Sequence, residues 1–247
     1  MARTQSNNRN SHDHFGPRQR LLHDLPIDYR SLWHISQSLT GFLWGLPLGL
    51  VLSVYTLYGQ QPDGLPVSPW ALGVIELVLV LGACRLLLVR RAPRPWIHTS
   101  WTTAFWSTGT LLLFPFLLWW RDFPESPILG WNMMGHWVLA TCLITQLNSQ
   151  VRLIGQMLDL RELQEEAKIF FRSVAVMFVF MWIFLGVVLA MATNILDGPR
   201  MAVATMAVMR IRGYLFFAGL IPLSLTLYLI WKARRGVIQA LTEGYVE

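Results

Sequence analysis

The stretch Ser173–Thr193, SVAVMFVFMWIFLGVVLAMAT, carries no charged residue, and its only hydroxyls are at its two ends. A helix needs about 20 mostly apolar residues to cross a ~30 Å hydrocarbon core, and this stretch is of that length. It is apolar around its whole circumference, so it has no face suited to water. Five more stretches read the same way: Ile35–Tyr58, Trp70–Val89, Ser100–Trp120, Ile128–Leu147 and Tyr214–Trp231. Backbone polar groups left unpaired in lipid are costly, which favours helices, and no short alternating strands argue for a barrel. The expected fold is an all-α polytopic integral membrane protein. It is a bundle of about six transmembrane helices within residues 33–247, with Pro47 expected to kink the first. Residues 1–32 read as a basic, mostly disordered tail, the last part of which, 21–32, leads into the bilayer as a turn or short helix.

Composition agrees. Of 247 residues 54% are hydrophobic and 14% charged, and there are twelve Trp. Soluble domains carry about 25% charged residues. A disordered chain, a disulfide scaffold, a coiled coil and an ordinary soluble enzyme are all excluded by these values. The net charge of +6 would suggest nucleic acid in a soluble protein. Here the basic residues flank apolar stretches and form no stripe interleaved with aromatics, which excludes that partner and leaves lipid. No apolar run resembling a signal peptide occurs in residues 1–32.

Lys and Arg set orientation. They cluster in the tail (Arg3, Arg9, Arg18, Arg20, Arg30), around 90–94 (Arg90, Arg91, Arg94), from 152 to 172 (Arg152, Arg161, Lys168, Arg172) and after the last span (Lys232, Arg234, Arg235). The loop after the first span has none. Both termini are therefore expected in the cytoplasm, and the expected location is a prokaryotic inner membrane. Arg200, Arg210 and Arg212 dissent from this pattern. Trp33, Trp70, Trp96, Trp101, Trp119, Trp120, Trp131 and Trp231 fall at segment ends, where Trp prefers the headgroup region. Trp44, Trp106, Trp137 and Trp182 lie deeper, where packing is expected.

Two segments are not spans. Residues 148–170 read as a cytoplasmic amphipathic helix, continuous with the fourth span or nearly so, since Gly155 alone interrupts it. Leu153, Met157, Leu160, Leu163 and Ala167 recur at three- and four-residue spacing and make one apolar stripe. Asp159, Glu162, Glu165 and Glu166 make an acidic face. A stripe outside the membrane must bury against something, so this helix is the expected docking surface for protein partners. Residues 195–213 read as an interfacial or re-entrant helix, or else as the start of an unusually long last helix. Asp197 and Pro199 suit its first turn, and Met201–Met209 is too short to cross.

Ionisable residues in a bilayer are costly and mark function by default. Glu76 lies about six residues into the second span and His136 about eight into the fourth. Both sit roughly 9–12 Å below the outer surface at 1.5 Å per residue. Equal depth permits a carboxylate–imidazole pair, suited to proton relay or ion binding. Arg85 is expected to snorkel to the interface, and Asn132, Gln146 and Asn148 to hydrogen-bond across helices. Met133, Met134 and His136 offer a weaker copper(I) reading, since Met is also ordinary core filler. His34 and His98 lie at one edge and His136 near the other, which argues against a bis-His haem. Cys84 and Cys142 form no CxxC and read as small hydrophobes. No phosphate-binding, metalloprotease or hydrolase motif is present, and the residues identify no cofactor.

Three function classes follow. The first expectation is a non-catalytic membrane subunit that docks partners on the 148–170 helix and along its spans. The alternative is a proton- or ion-coupled transporter or channel built on Glu76 and His136. The weakest is a metal or redox subunit.

Overall fold

The computed structural model describes residues 28–58, 68, 70–90, 92–123, 126–192 and 198–243, and their side chains except those of 56–58, 121, 127, 181 and 184–219. The expected tail lies almost wholly outside these residues. The described residues form six helices: α1 Tyr29–Tyr58, α2 Ala71–Leu87, α3 Arg94–Asp122, α4 Pro127–Met157, α5 Arg161–Ala192 and α6 Gly198–Glu243. Each helix packs on the next in sequence. α6 then returns to α1 and also touches α4, closing the bundle.

Three helical stretches among the described residues are long and apolar enough to cross a membrane: Tyr29–Tyr55, Arg94–Trp120 and Ile128–Met157. Their length and composition mark a membrane protein. α2 has 17 residues, or about 26 Å of helix.

Inward faces follow helical spacing. α1 buries Leu32, Ile35, Leu39, Phe42 and Leu46 against Leu79, Ala83 and Leu86 of α2 and Leu229, Ile230, Ala233 and Val237 of α6, in one continuous core. Ser38 donates to the Gly82 carbonyl at 2.7 Å. At the start of α1, Ser31 donates to the Asp28 carboxylate. That hydrogen bond is the main reason Asp28 titrates below the usual carboxylate range. Ser31 Oγ also accepts from the Arg90 amide at 3.0 Å, tying the start of α1 to the α2–α3 turn. Helix α1 thus begins about six residues before the expected span.

The 148–170 segment differs from its expected form. It is the last turns of α4 and the first of α5, broken at Leu158–Leu160. The Leu160 amide donates to the Gly155 carbonyl at 2.8 Å and the Asp159 amide to Gln156 at 3.4 Å, while Asp159 has φ 50°. This is a Schellman termination, with Asp in the left-handed position that Gly usually fills. Gly155 is the first acceptor of that turn. A Cβ there would lie 3.0 Å from Gln164 Cγ and 3.3 Å from its amide nitrogen, so glycine lets α5 fold back tightly on α4.

Residues 198–213 continue without interruption into α6, which is 46 residues long. No separate interfacial helix stands there. The expectations for residues 195–197 and for the side chains of this stretch fall outside what is described. Two Trp side chains show what depth alone does not give. Trp96 is buried at 1% exposure, and its Nε1 donates to the Leu86 carbonyl at 3.1 Å. Trp44, expected to pack inside, is 65% exposed. One face of α1 carries Leu39, Phe42 and Leu46 inward, which turns residue 44 outward.

Candidate functional site

Helix α2 buries Leu72, Glu76, Leu79, Gly82, Ala83 and Leu86. Glu76 therefore sits on the inward face, one turn in from Leu72. The carboxylate does not reach a helix end, so it must find its partners inside the bundle.

It finds two. His136 Nε2, from α4, is 3.3 Å from Glu76 Oε1. Thr110 Oγ1, from α3, stands 2.7 Å from Glu76 Oε2 and 2.8 Å from the Ser107 carbonyl, and its one proton serves either acceptor. All three are buried, at 5%, 2% and 0% exposure for Glu76, His136 and Thr110. Three helices thus meet at one carboxylate. His136 Nδ1 is buried and has no hydrogen-bond partner. Its ring lies edge-on to Trp137, with centroids 6.4 Å apart.

The inward face of α3 changes character along its length. From its Arg94 end it presents Thr99, Ser100, Thr103, Ser107 and Thr110, all buried. Beyond Thr110 it presents Phe114, Leu117 and Leu118, which cluster with Leu72 of α2, with Leu52 and Met133 packed against them. The hydroxyls donate back to their own helix: Thr99 to Pro95 at 2.7 Å, Thr103 to Thr99 at 2.8 Å and Ser107 to Ala104 at 3.2 Å. This leaves their oxygens with acceptor capacity towards the bundle. Facing them, α4 contributes Gln146, whose Nε2 donates to Thr102 Oγ1 at 2.6 Å, and Gln150, whose Nε2 donates to Ser100 Oγ at 2.8 Å. Asn148 Nδ2 donates to Thr226 Oγ1 of α6 at 3.0 Å. The Oε1 of Gln150 and the Oδ1 of Asn148 are buried without partners.

The other sequence-derived residues lie apart from this site. Arg85 is exposed in the last turn of α2. Asn132 turns back on its own helix, with Nδ2 donating to the Ile128 carbonyl at 2.9 Å. Met133 packs in the apolar cluster with Phe114. Met134 is partly buried. No group of three or more His, Cys, Asp or Glu side chains among the described residues could hold a metal ion. Cys84 and Cys142 are free thiols.

The apolar stripe near the α4–α5 break is covered from within. Leu163 and Ala167 are fully buried, and Leu153, Met157 and Leu160 pack on the same core. A Cβ on Gly236 of α6 would come within 2.7 Å of Leu160 Cδ1. The stripe expected to need a partner thus has one in the chain itself. Of the acidic face, Glu166 is held by Lys232, with Nζ 2.9 Å from both carboxylate oxygens. Glu162 stands 3.5 Å from the same ammonium group. Asp159, Glu162 and Glu165 remain exposed.

Sequence reading missed Thr110 and the hydroxyl column. The signal was present: Thr99, Thr103, Ser107 and Thr110 recur at spacings of four, four and three within one apolar stretch, which places them on one helix face. No protein-family model, curated protein or solved structure matches the chain.

Proposed function

We propose that the chain is a six-span membrane protein, with both termini cytoplasmic, that transfers protons through the Glu76–His136 pair. The observation that carries this reading is the burial of a carboxylate against an imidazole, 3.3 Å apart, inside the bundle. Such a pair is expensive to desolvate, and a core built for stability alone would be as well served by apolar residues.

The chemistry of the partners favours a proton over a metal cation. Both oxygens of Glu76 face donors, the Thr110 hydroxyl and an imidazole nitrogen. A hard cation takes about six oxygen ligands, whereas a proton needs one acceptor. His136 offers two nitrogens to such a transfer. A proton bound at Nδ1 lets Nε2 release its own to Glu76 Oε1, so the ring passes charge without moving far. When Thr110 donates to the other oxygen, it fixes the carboxylate plane.

Six crossings with cytoplasmic termini accord with the Lys and Arg clusters at the tail, at 90–94, at 152–172 and after Trp231. The test is proton flux into proteoliposomes containing the purified chain, driven by a potassium diffusion potential and read by an entrapped dye. The wild type conducts protons and E76Q does not. A wild-type flux no greater than that of protein-free vesicles, or an unchanged flux in E76Q, overturns the reading.

A second reading, a membrane subunit that docks a cytoplasmic partner, draws on one observation. Asp159, Glu162 and Glu165 stay exposed around the α4–α5 break, a face suited to a basic protein surface. Extraction in mild detergent tests it, because a stoichiometric companion lost on charge reversal of Glu162 and Glu165 supports it.

A further inference from the structure

We infer that the Glu76–His136 pair exchanges protons readily with the side of the membrane at the Arg94 end of α3, along the α3 hydroxyl column, and that passage to the other side, through the apolar cluster of Phe114 and Leu117, is the slow step of conduction. This rests on Glu76 being the proton site proposed above, and it assigns that site its access route.

Two features on opposite sides of the carboxylate carry the inference. Towards the Arg94 end, α3 and α4 face each other through Ser107, Thr103, Ser100 and Gln150, all buried. From Thr110 to Ser100 the column spans about 15 Å, at 1.5 Å per residue. Side chains three and four residues apart on a helix stand about 5–6 Å from one another, a gap that a single water bridges. The column also has unmet hydrogen-bonding capacity at each end. Gln150 Oε1, beside Ser100 towards the Arg94 end, and His136 Nδ1, on the ring that meets Glu76, are buried without partners. A buried polar atom of this kind calls for a donor or acceptor that can enter.

Away from the Arg94 end, the same helices turn apolar within one turn of the site. Leu72 lies four residues before Glu76, Phe114 four after Thr110 and Met133 three before His136, and all belong to one apolar cluster with Leu117 and Leu118. Leu117 is fully buried. The side chains of this cluster offer a proton no hydrogen-bonded step, so passage there waits on its opening. Charged groups on the helices that pack against α2 lie near helix ends, namely Arg30 and His34 on α1 and Arg94, His98, Arg121 and Asp122 on α3. Among the described residues, His136 is the titratable side chain placed within 3.3 Å of the Glu76 carboxylate.

The experiment is infrared titration of the Glu76 carboxyl band, assigned by its loss in E76Q. It uses the full chain in proteoliposomes sorted by orientation. The pH is stepped on one side while the other is buffered, from about 4 to about 9, which brackets ordinary carboxylate and imidazole values. The band follows the pH on the Arg94 side and lags steps on the other. Ser107→Ala with Thr103→Val slows that response about tenfold, the size expected for a lost hydrogen bond in the path. Phe114→Ala speeds the response from the opposite side. Equal responses from both sides, or a faster one from the opposite side, overturn this asymmetry of access while leaving Glu76 as the proton site. A band that titrates from neither side overturns both.

Discussion

Lys232 Nζ of α6 stands 2.9 Å from each carboxylate oxygen of Glu166 on α5, and this pair clasps the two helices where they leave the apolar core. The hydrogen bond to Glu166 is the main reason Lys232 titrates above the ordinary lysine value of 10.5. A base whose folded pKa is raised contributes stability that is complete below its unfolded pKa and is lost as pH climbs through the folded one. Glu166→Gln therefore lowers the melting temperature by a margin that stays constant from neutral pH to about 10 and closes at more alkaline pH. Both side chains are partly exposed, so the margin is small, up to about 1 kcal/mol. Thermal melts of wild type and variant across that pH range measure it.

Asp159 holds φ 50° at the end of α4. Asp tolerates the left-handed region better than most residues, and Gly tolerates it at no steric cost. Asp159→Gly raises stability by up to about 1 kcal/mol. Asp159→Val, β-branched, lowers it by more. A destabilised Gly variant, measured by thermal unfolding in detergent, would place the importance of this residue in its carboxylate rather than in its backbone.

The helices are legible in the sequence because a bilayer admits little else. Their ends are less so, since a helix does not stop at the edge of the hydrocarbon. α4 reaches Met157, ten residues past the apolar run Ile128–Leu147, because Val151 and Ile154 still find core partners. The break at Leu158–Leu160 is hidden for a related reason. The residue that makes it, Asp159, has an unremarkable identity, and the glycine nearby acts as an acceptor and a packing gap. For Glu76 and His136, depth follows from counting residues at 1.5 Å each. Contact depends on which way each helix is turned, and that depends on all its neighbours. The exposed Trp44 and the buried Trp96 follow on the same account: hydropathy gives depth, and packing decides which face points inward.

Close approach of α2 to α3 depends on Gly73. A Cβ there would lie 2.7, 3.0 and 3.3 Å from three ring atoms of Phe114. A ring buried in its own cluster gives way less readily than the end of an aliphatic chain. Gly73→Ala therefore costs about 1–3 kcal/mol, as overpacking does. Gly49→Ala is the control. Its Cβ meets Ile75 Cγ2 at an ordinary 3.6 Å, and helix propensity favours Ala by about 0.5–1 kcal/mol. Chemical or thermal unfolding of the two variants in one detergent ranks them, and a Gly73→Ala protein as stable as the control contradicts this packing.

Glu76 and His136 act as a unit if they share a proton, and a double-mutant cycle tests that independently of any flux. Removing one partner of a buried charged pair leaves the other charge uncompensated, at a cost of about 3–5 kcal/mol. His136→Ala exposes Glu76 to that penalty, with the Thr110 hydroxyl still beside Oε2. Glu76→Gln removes the charge and keeps the shape, so its own cost is smaller. In the Glu76→Gln background, His136→Ala then costs less than in the wild type, because no charge is stranded. Coupling between groups in contact runs to about 0.5–3 kcal/mol, and the upper half of that range is expected here. Additive costs would mean that carboxyl and imidazole only fill space side by side.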